Sequence, residues 1–116
     1  MSISSPMEQA LLVFTNVPEL VTAQLLARKL VESRLAACVN IMPAVQSIYR
    51  WQGQIDEATE VTLLIKTTQQ QYDQLQQAIV DIHPYELPEI IATPIVAAYA
   101  PYLNWIVAET AKDIHA

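Results

Sequence analysis

The densest run of chemically active side chains is His83-Pro-Tyr-Glu-Leu-Pro-Glu89. It places an imidazole, a phenol and two carboxylates in one loop, enough for a metal ligand, a proton donor and counter-charges. A plainer reading stands beside it. Pro84 and Pro88 also stiffen a connection, and a lone histidine lacks the paired spacing that makes a metal motif specific. Lys66 closes an apolar run, where a lysine is costly unless paired or exposed. Its candidate partners are Glu60, Glu86 and Glu89, in the same chain or a neighbouring copy, and an ion pair and an anion-binding role weigh equally. Cys38, between Ala37 and Val39, reads as an inert small hydrophobe before a reactive thiol. His115 sits beside the C-terminus and reads as part of a disordered tail. Tyr49, Trp51 and Trp105 could stack on a ligand, but aromatics on exposed elements are more simply interface anchors.

Other chemistries lack their residues. Gly53 is the single glycine, so no glycine-rich phosphate loop exists. No Ser-His-Asp or Cys-His spacing stands out, and nucleophilic catalysis has no support. The net charge of −6, with six Lys and Arg, argues against nucleic acid. No apolar run approaches the roughly 20 residues of a spanning helix. The first residues show neither a basic nor an apolar region of a signal peptide. One cysteine fits a reducing compartment, and the cytoplasm is the expected location. Hydrophobic residues make up 53% and charged ones 16%, against a typical charged share of about 25%. A surface so poor in charge is explained if part of it is buried against copies of the same chain.

These side chains need elements to position them. Residues 1–8 read as a flexible tail, 9–112 as one domain and 113–116 as a second tail. Ala10 to Thr15 is a continuous apolar run, expected as a buried strand that breaks at Asn16-Val-Pro-Glu19. Pro18 and Glu19 suit a first helical turn. Ala23, Leu26, Ala27, Leu30 and Val31 then recur with helical spacing. A ribbon follows from Ala36 to Trp51, turns at Gln52-Gly53 and returns through Glu60 to Thr67. Pro43 marks a bulge or an edge in it. Val45, Ser47, Tyr49 and Trp51 share one face, and Gln46, Ile48 and Arg50 share the other. Thr68-x-x-Gln71 has the form of a capping box. It opens a helix striped by Tyr72, Leu75, Ile79 and Ile82, with its glutamines in water, that stops at His83 before Pro84. A strand over Glu89–Ala97, interrupted by Pro94, and a short helix from Pro101 complete the chain.

The order predicts an α+β, ferredoxin-like βαββαβ fold, an antiparallel sheet with two helices on one face plus a short C-terminal helix. The second strand would then be a long apolar edge whose one charge is Arg50, a hazard unless another chain pairs with it. Homo-oligomerisation follows, with Val45, Ile48, Tyr49, Trp51 and Trp105 as interface candidates.

Arg34-Leu-Ala-Ala-Cys-Val-Asn40, Ser47-Ile-Tyr-Arg-Trp-Gln-Gly53, Ile65-Lys-Thr67, the His83–Glu89 run and Tyr102-Leu-Asn-Trp105 resemble the CutA family of divalent-cation tolerance proteins, over roughly residues 11–109. The resemblance implies a homotrimer joined by strand pairing between subunits, with an architecture similar to the PII signalling proteins. It also implies a link to copper and other divalent cations. The family's proposed copper site uses a first-strand cysteine and adjacent histidines before Pro-Tyr. Here those positions hold Thr15 and Ile82-His83, so His83 alone carries over as a metal ligand, for weak binding. Ala98 stands where many members carry glycine. No cofactor is required on this reading. Lys66, Tyr85, Glu86 and Glu89 are the expected lining of an inter-subunit cleft for a metal ion or small anion in a signalling module. An enzyme using the same Lys/His/Tyr/Glu cluster and a structural partner-binding trimer are the alternatives.

Overall fold

A computed structural model describes residues 6–112. His115 and the residues 1–5 and 113–116 of the expected tails lie outside the described residues, while Pro6–Glu8 form a 3-10 turn. Strand β1 (Ala10–Val17) has Leu11, Val13, Thr15 and Val17 buried on one face. It runs past the break expected after Thr15, because Asn16 and Val17 still pair with Thr62 and Val61. Helix α1 (Leu20–Glu32) accordingly starts later than Pro18, behind an extended Glu19. Ala23, Leu26 and Leu30 are its buried positions, and Val31, assigned to the same stripe from spacing, is exposed.

β2 (Cys38–Trp51) and β3 (Gln54–Thr68) form the ribbon, and β3 begins well before Glu60. Gln52 and Gly53 turn it with φ of 50° and 82°, the two left-handed residues of a tight hairpin turn whose twist matches the strands. The Pro43 bulge is present. Pairing steps from Met42↔Thr62 to Val45↔Glu60, with Ala44 at φ 65°, so two residues oppose one and the strand bends.

α2 (Gln69–Ile82) buries Leu75 and Ile79 but has no capping box. The Thr68 hydroxyl faces that of Thr110 at 3.3 Å, and Gln71 Nε2 donates to the Thr110 carbonyl at 2.8 Å. Gln71 is therefore buried, in place of facing water with the other glutamines. The C-terminal helix α3 (Ala100–Glu109) competes for the caps and wins, as a contact between distant segments. β4 (Ile90–Pro94) is shorter than expected. Beyond Pro94 the Ile95 N–H donates to the Ala10 carbonyl at 2.9 Å and the Ile95 carbonyl accepts from Gln9 Nε2 at 3.2 Å, and the backbone pairing ends there, at the first residue of β1.

The sheet order is β2-β3-β1-β4 with every pair antiparallel. α1 and α2 cover one face, and their apolar residues join Val13, Val17, Leu63 and Ile65 in the main core. This is the ferredoxin-like arrangement. The ribbon projects from it. The molecule is 51 Å long and 30 Å wide, with a radius of gyration of 15.3 Å, above the roughly 13 Å of a compact chain this size. On the uncovered face Leu12, Phe14 and Leu64 are half-buried, and Met42 and Ile91 are exposed.

Candidate functional site

Two elements meet at the root of the ribbon. One is the open-face end of β1 and β3, where the Thr62 hydroxyl donates to Asn16 Oδ1 at 2.5 Å. The other is the loop from His83 to Glu89, turned out of α2 by Pro84. His83 fastens that loop down. Its Nε2 lies 2.6 Å from the Asn16 carbonyl oxygen, and its Nδ1 accepts the Tyr85 N–H at 3.1 Å. A carbonyl can only accept, so Nε2 carries the proton and the ring is the Nε2–H tautomer. Glu89 Oε1 accepts from Asn16 Nδ2 at 3.4 Å, tying the far end of the loop to the same strand.

So anchored, the loop presents Tyr85 and its neighbours to the ribbon. Between them lies a cleft of about 510 Å³. β2 contributes Ser47, Ile48, Tyr49 and Trp51, β3 contributes Glu60, and the loop contributes Tyr85, Glu86, Leu87 and Glu89. Glu60 is only 7% exposed, and the Tyr85 hydroxyl donates to its Oε2 at 2.9 Å. Burial, followed by the hydrogen bond and the negative charge of Glu60, pushes the Tyr85 hydroxyl up to about 12. It therefore stays protonated and donates at neutral pH. The cleft holds three carboxylates and no lysine or arginine, a field suited to positive charge and hostile to anions.

Tyr85, Glu86 and Glu89 line this cleft of the single chain, and Lys66 does not. Lys66 pairs with Cys38 across the ribbon, its Nζ 2.5 Å from Asn40 Oδ1 and 3.9 Å from Cys38 Sγ. It lies six positions along β3 from Glu60, about 20 Å at the rise of a strand. Within the chain its hydrogen-bond partner is the neutral Asn40 amide. His83 is close to the cleft but is turned away from it, with both ring nitrogens engaged by backbone. Coordinating a metal through it would break one of those bonds. Among the described residues no three His, Cys, Asp or Glu side chains are gathered to hold a metal ion. Of the interface candidates, Ile48, Tyr49 and Trp51 are exposed along the ribbon and Val45 is half-buried. Trp105 stands apart on α3, its ring 5.4 Å from Tyr102. Sequence reasoning named Glu60 only as a partner for Lys66 and gave Asn16 no role. The available signal was a carboxylate at the start of the apolar Val61–Ile65 run.

Residues 11–109 match the sequence model of a family described as CutA1 divalent ion tolerance protein. The chain belongs to the CutA1 family. The divalent-cation tolerance protein CutA of Thermus thermophilus is 46% identical over 100 residues, covering 86% of this chain and 95% of that protein. Protein CutA of Mus musculus is 43% identical over 93 residues, and the match spans only 52% of that longer chain. Among solved structures, CutA1 of Oryza sativa superposes with a TM-score of 0.88 at 34% identity, covering 94% of this chain and 100% of that one. The CutA1 fold therefore accounts for the whole described domain, including the ribbon and the loop that frame the cleft.

Proposed function

We propose that this CutA1-family chain works as a homotrimer that takes a positively charged ligand in the cleft between ribbon and loop and passes that state on as a binding signal. The observation that carries the reading is the cleft's composition, with Glu60, Glu86 and Glu89 on its walls and no basic group among the lining residues. Divalent-ion tolerance in the family's description, and divalent-cation tolerance in a relative's name, support a divalent cation as the effector. The carboxylates would meet it, and His83 would act as the bolt of the loop.

Trimerisation through strand pairing is supported by the ribbon. Ile48 and Ile55 are 64% and 60% exposed on it, and Met42 and Ile91 lie bare on the open sheet face. Such a surface is stabilised by burial against further copies. A subunit seated there would border Tyr49 and Trp51, so that the cleft lies where subunits meet. The compartment we propose is the cytoplasm, where the unpaired Cys38 stays reduced. One relative's name is Protein CutA, chloroplastic, in Arabidopsis thaliana, so cell fractionation is the check.

Sedimentation equilibrium should give about 39 kDa, three times the 13.0 kDa chain. Calorimetry with copper(II) on the wild type, Glu60→Gln and His83→Ala tests the cleft. Binding that weakens in Glu60→Gln and persists in a folded His83→Ala is the expected pattern. Identical binding by all three would sink the cleft assignment.

A further inference from the structure

Three distant segments converge on one residue of β1. Asn16 Oδ1 accepts from the Thr62 hydroxyl at 2.5 Å, and Asn16 Nδ2 donates to Glu89 Oε1 at 3.4 Å. Its backbone carbonyl takes the His83 ring N–H at 2.6 Å. These partners lie 46, 73 and 67 residues away in the chain, so the contacts belong to the fold and not to the strand alone.

The direction of each bond is fixed by chemistry. A carboxylate only accepts, so the amide nitrogen of Asn16 faces Glu89. Its oxygen then faces Thr62, whose hydroxyl must donate. An aspartate here would turn an oxygen toward Glu89, and an aliphatic side chain would hold neither neighbour. From the Asn16 carbonyl the bonds run on through the His83 ring to the Tyr85 N–H at 3.1 Å. The Tyr85 hydroxyl in turn reaches Glu60 Oε2 at 2.9 Å. Glu60 and Glu89 are thus two ends of one network with Asn16 at its centre. Every bond in it lies within a single chain, between β1, β3 and the loop, so it does not depend on what covers the ribbon.

Asn16 itself is not among the residues that line the cleft, whereas Glu60 and Glu89 are. We propose that Asn16 is the positioning residue of the cleft, setting Glu89 directly and Glu60 through the His83–Tyr85 loop. Carboxylates held in place before a cation arrives cost less to order when it binds. The inference rests on the reading of the cleft as a cation site and adds the residue that preorganises it.

Calorimetry with copper(II) on the full chain tests this in the wild type, Asn16→Ala, Glu89→Ala and the double variant. Asn16→Ala removes the amide and keeps the backbone carbonyl, so the His83 latch should survive. Nitrogen–proton NMR should then find the ring proton still on Nε2, and a thermal melt should show a folded chain. Copper(II) binding should weaken about fivefold, the worth of one hydrogen bond. That loss should vanish in the Glu89→Ala background, because Asn16 acts through that carboxylate. In the metal-free wild type, the Asn16 side-chain amide resonances should move on Glu89→Ala while the Tyr85 N–H resonance stays. Amide resonances that ignore Glu89→Ala overturn the proposal without any metal. So does a loss of binding equal in both backgrounds, or no loss, while binding that still weakens in Glu60→Gln keeps the cation reading. If copper(II) binding ignores Glu60→Gln and Glu89→Ala alike, the cation reading fails and the positioning role falls with it.

Discussion

The Tyr85 hydroxyl donates to Oε2 of Glu60 at 2.9 Å, joining the loop after α2 to the root of a ribbon that runs away from the domain. The bond has a consequence at high pH. Tyr85 is raised from 10.0 to about 12 in the fold, so on raising the pH the unfolded chain gives up this proton first. Stability from this group is intact below about pH 10 and is lost between pH 10 and 12. Urea midpoints across that window should fall more steeply for the wild type than for Tyr85→Phe. Parallel curves would show that the group does not behave this way.

His83 should matter to stability before it matters to metals. His83→Ala leaves the Asn16 carbonyl and the Tyr85 N–H without partners, and should cost about 2–3 kcal/mol. Denaturant melts measure the loss. Long-range nitrogen–proton NMR should find the wild-type ring with its proton on Nε2, as the Asn16 carbonyl dictates.

Thr15 lies in β1 on the face that packs into the core. It is fully buried, and its hydroxyl has no hydrogen-bond partner. Thr15→Val keeps the shape and removes an unsatisfied polar atom. It should stabilise the chain by about 1 kcal/mol, read as a higher urea midpoint at unchanged slope.

Gly53 offers a clean test of the ribbon's turn. Its φ is 82°, and a Cβ there would meet nothing within 4 Å. Gly53→Ala therefore carries a purely conformational cost, about 1–2 kcal/mol for a left-handed L-residue. Hydrogen exchange at the ribbon tip should speed up, while exchange in the β1–β3 core stays as it was.

Local pattern was enough for the elements. Ala23, Leu26 and Leu30 at helical spacing, Val61, Leu63 and Ile65 in alternation, and Pro43 at the bulge all depend on near neighbours along the chain. So does the end of α2 at Pro84. The errors came where a distant segment intervened. Thr68 and Gln71 read as a capping box until Thr110 took both side chains, and β1 ran on through Asn16 because Thr62 was there to pair with it.

The sequence by itself determined the ferredoxin-like order, the overlong ribbon and the loop rich in functional groups. It also carried enough of the family's motifs to identify the CutA1 fold. Only the tertiary structure decided which of those groups lie together. Lys66 and Glu60 are six residues apart on one strand, and strand geometry holds them about 20 Å apart. Tyr85 and Glu60 are 25 residues apart and touch, because His83 folds the loop back onto Asn16. Periodicity records which face a residue takes, and carries no information about which loop will cross that face.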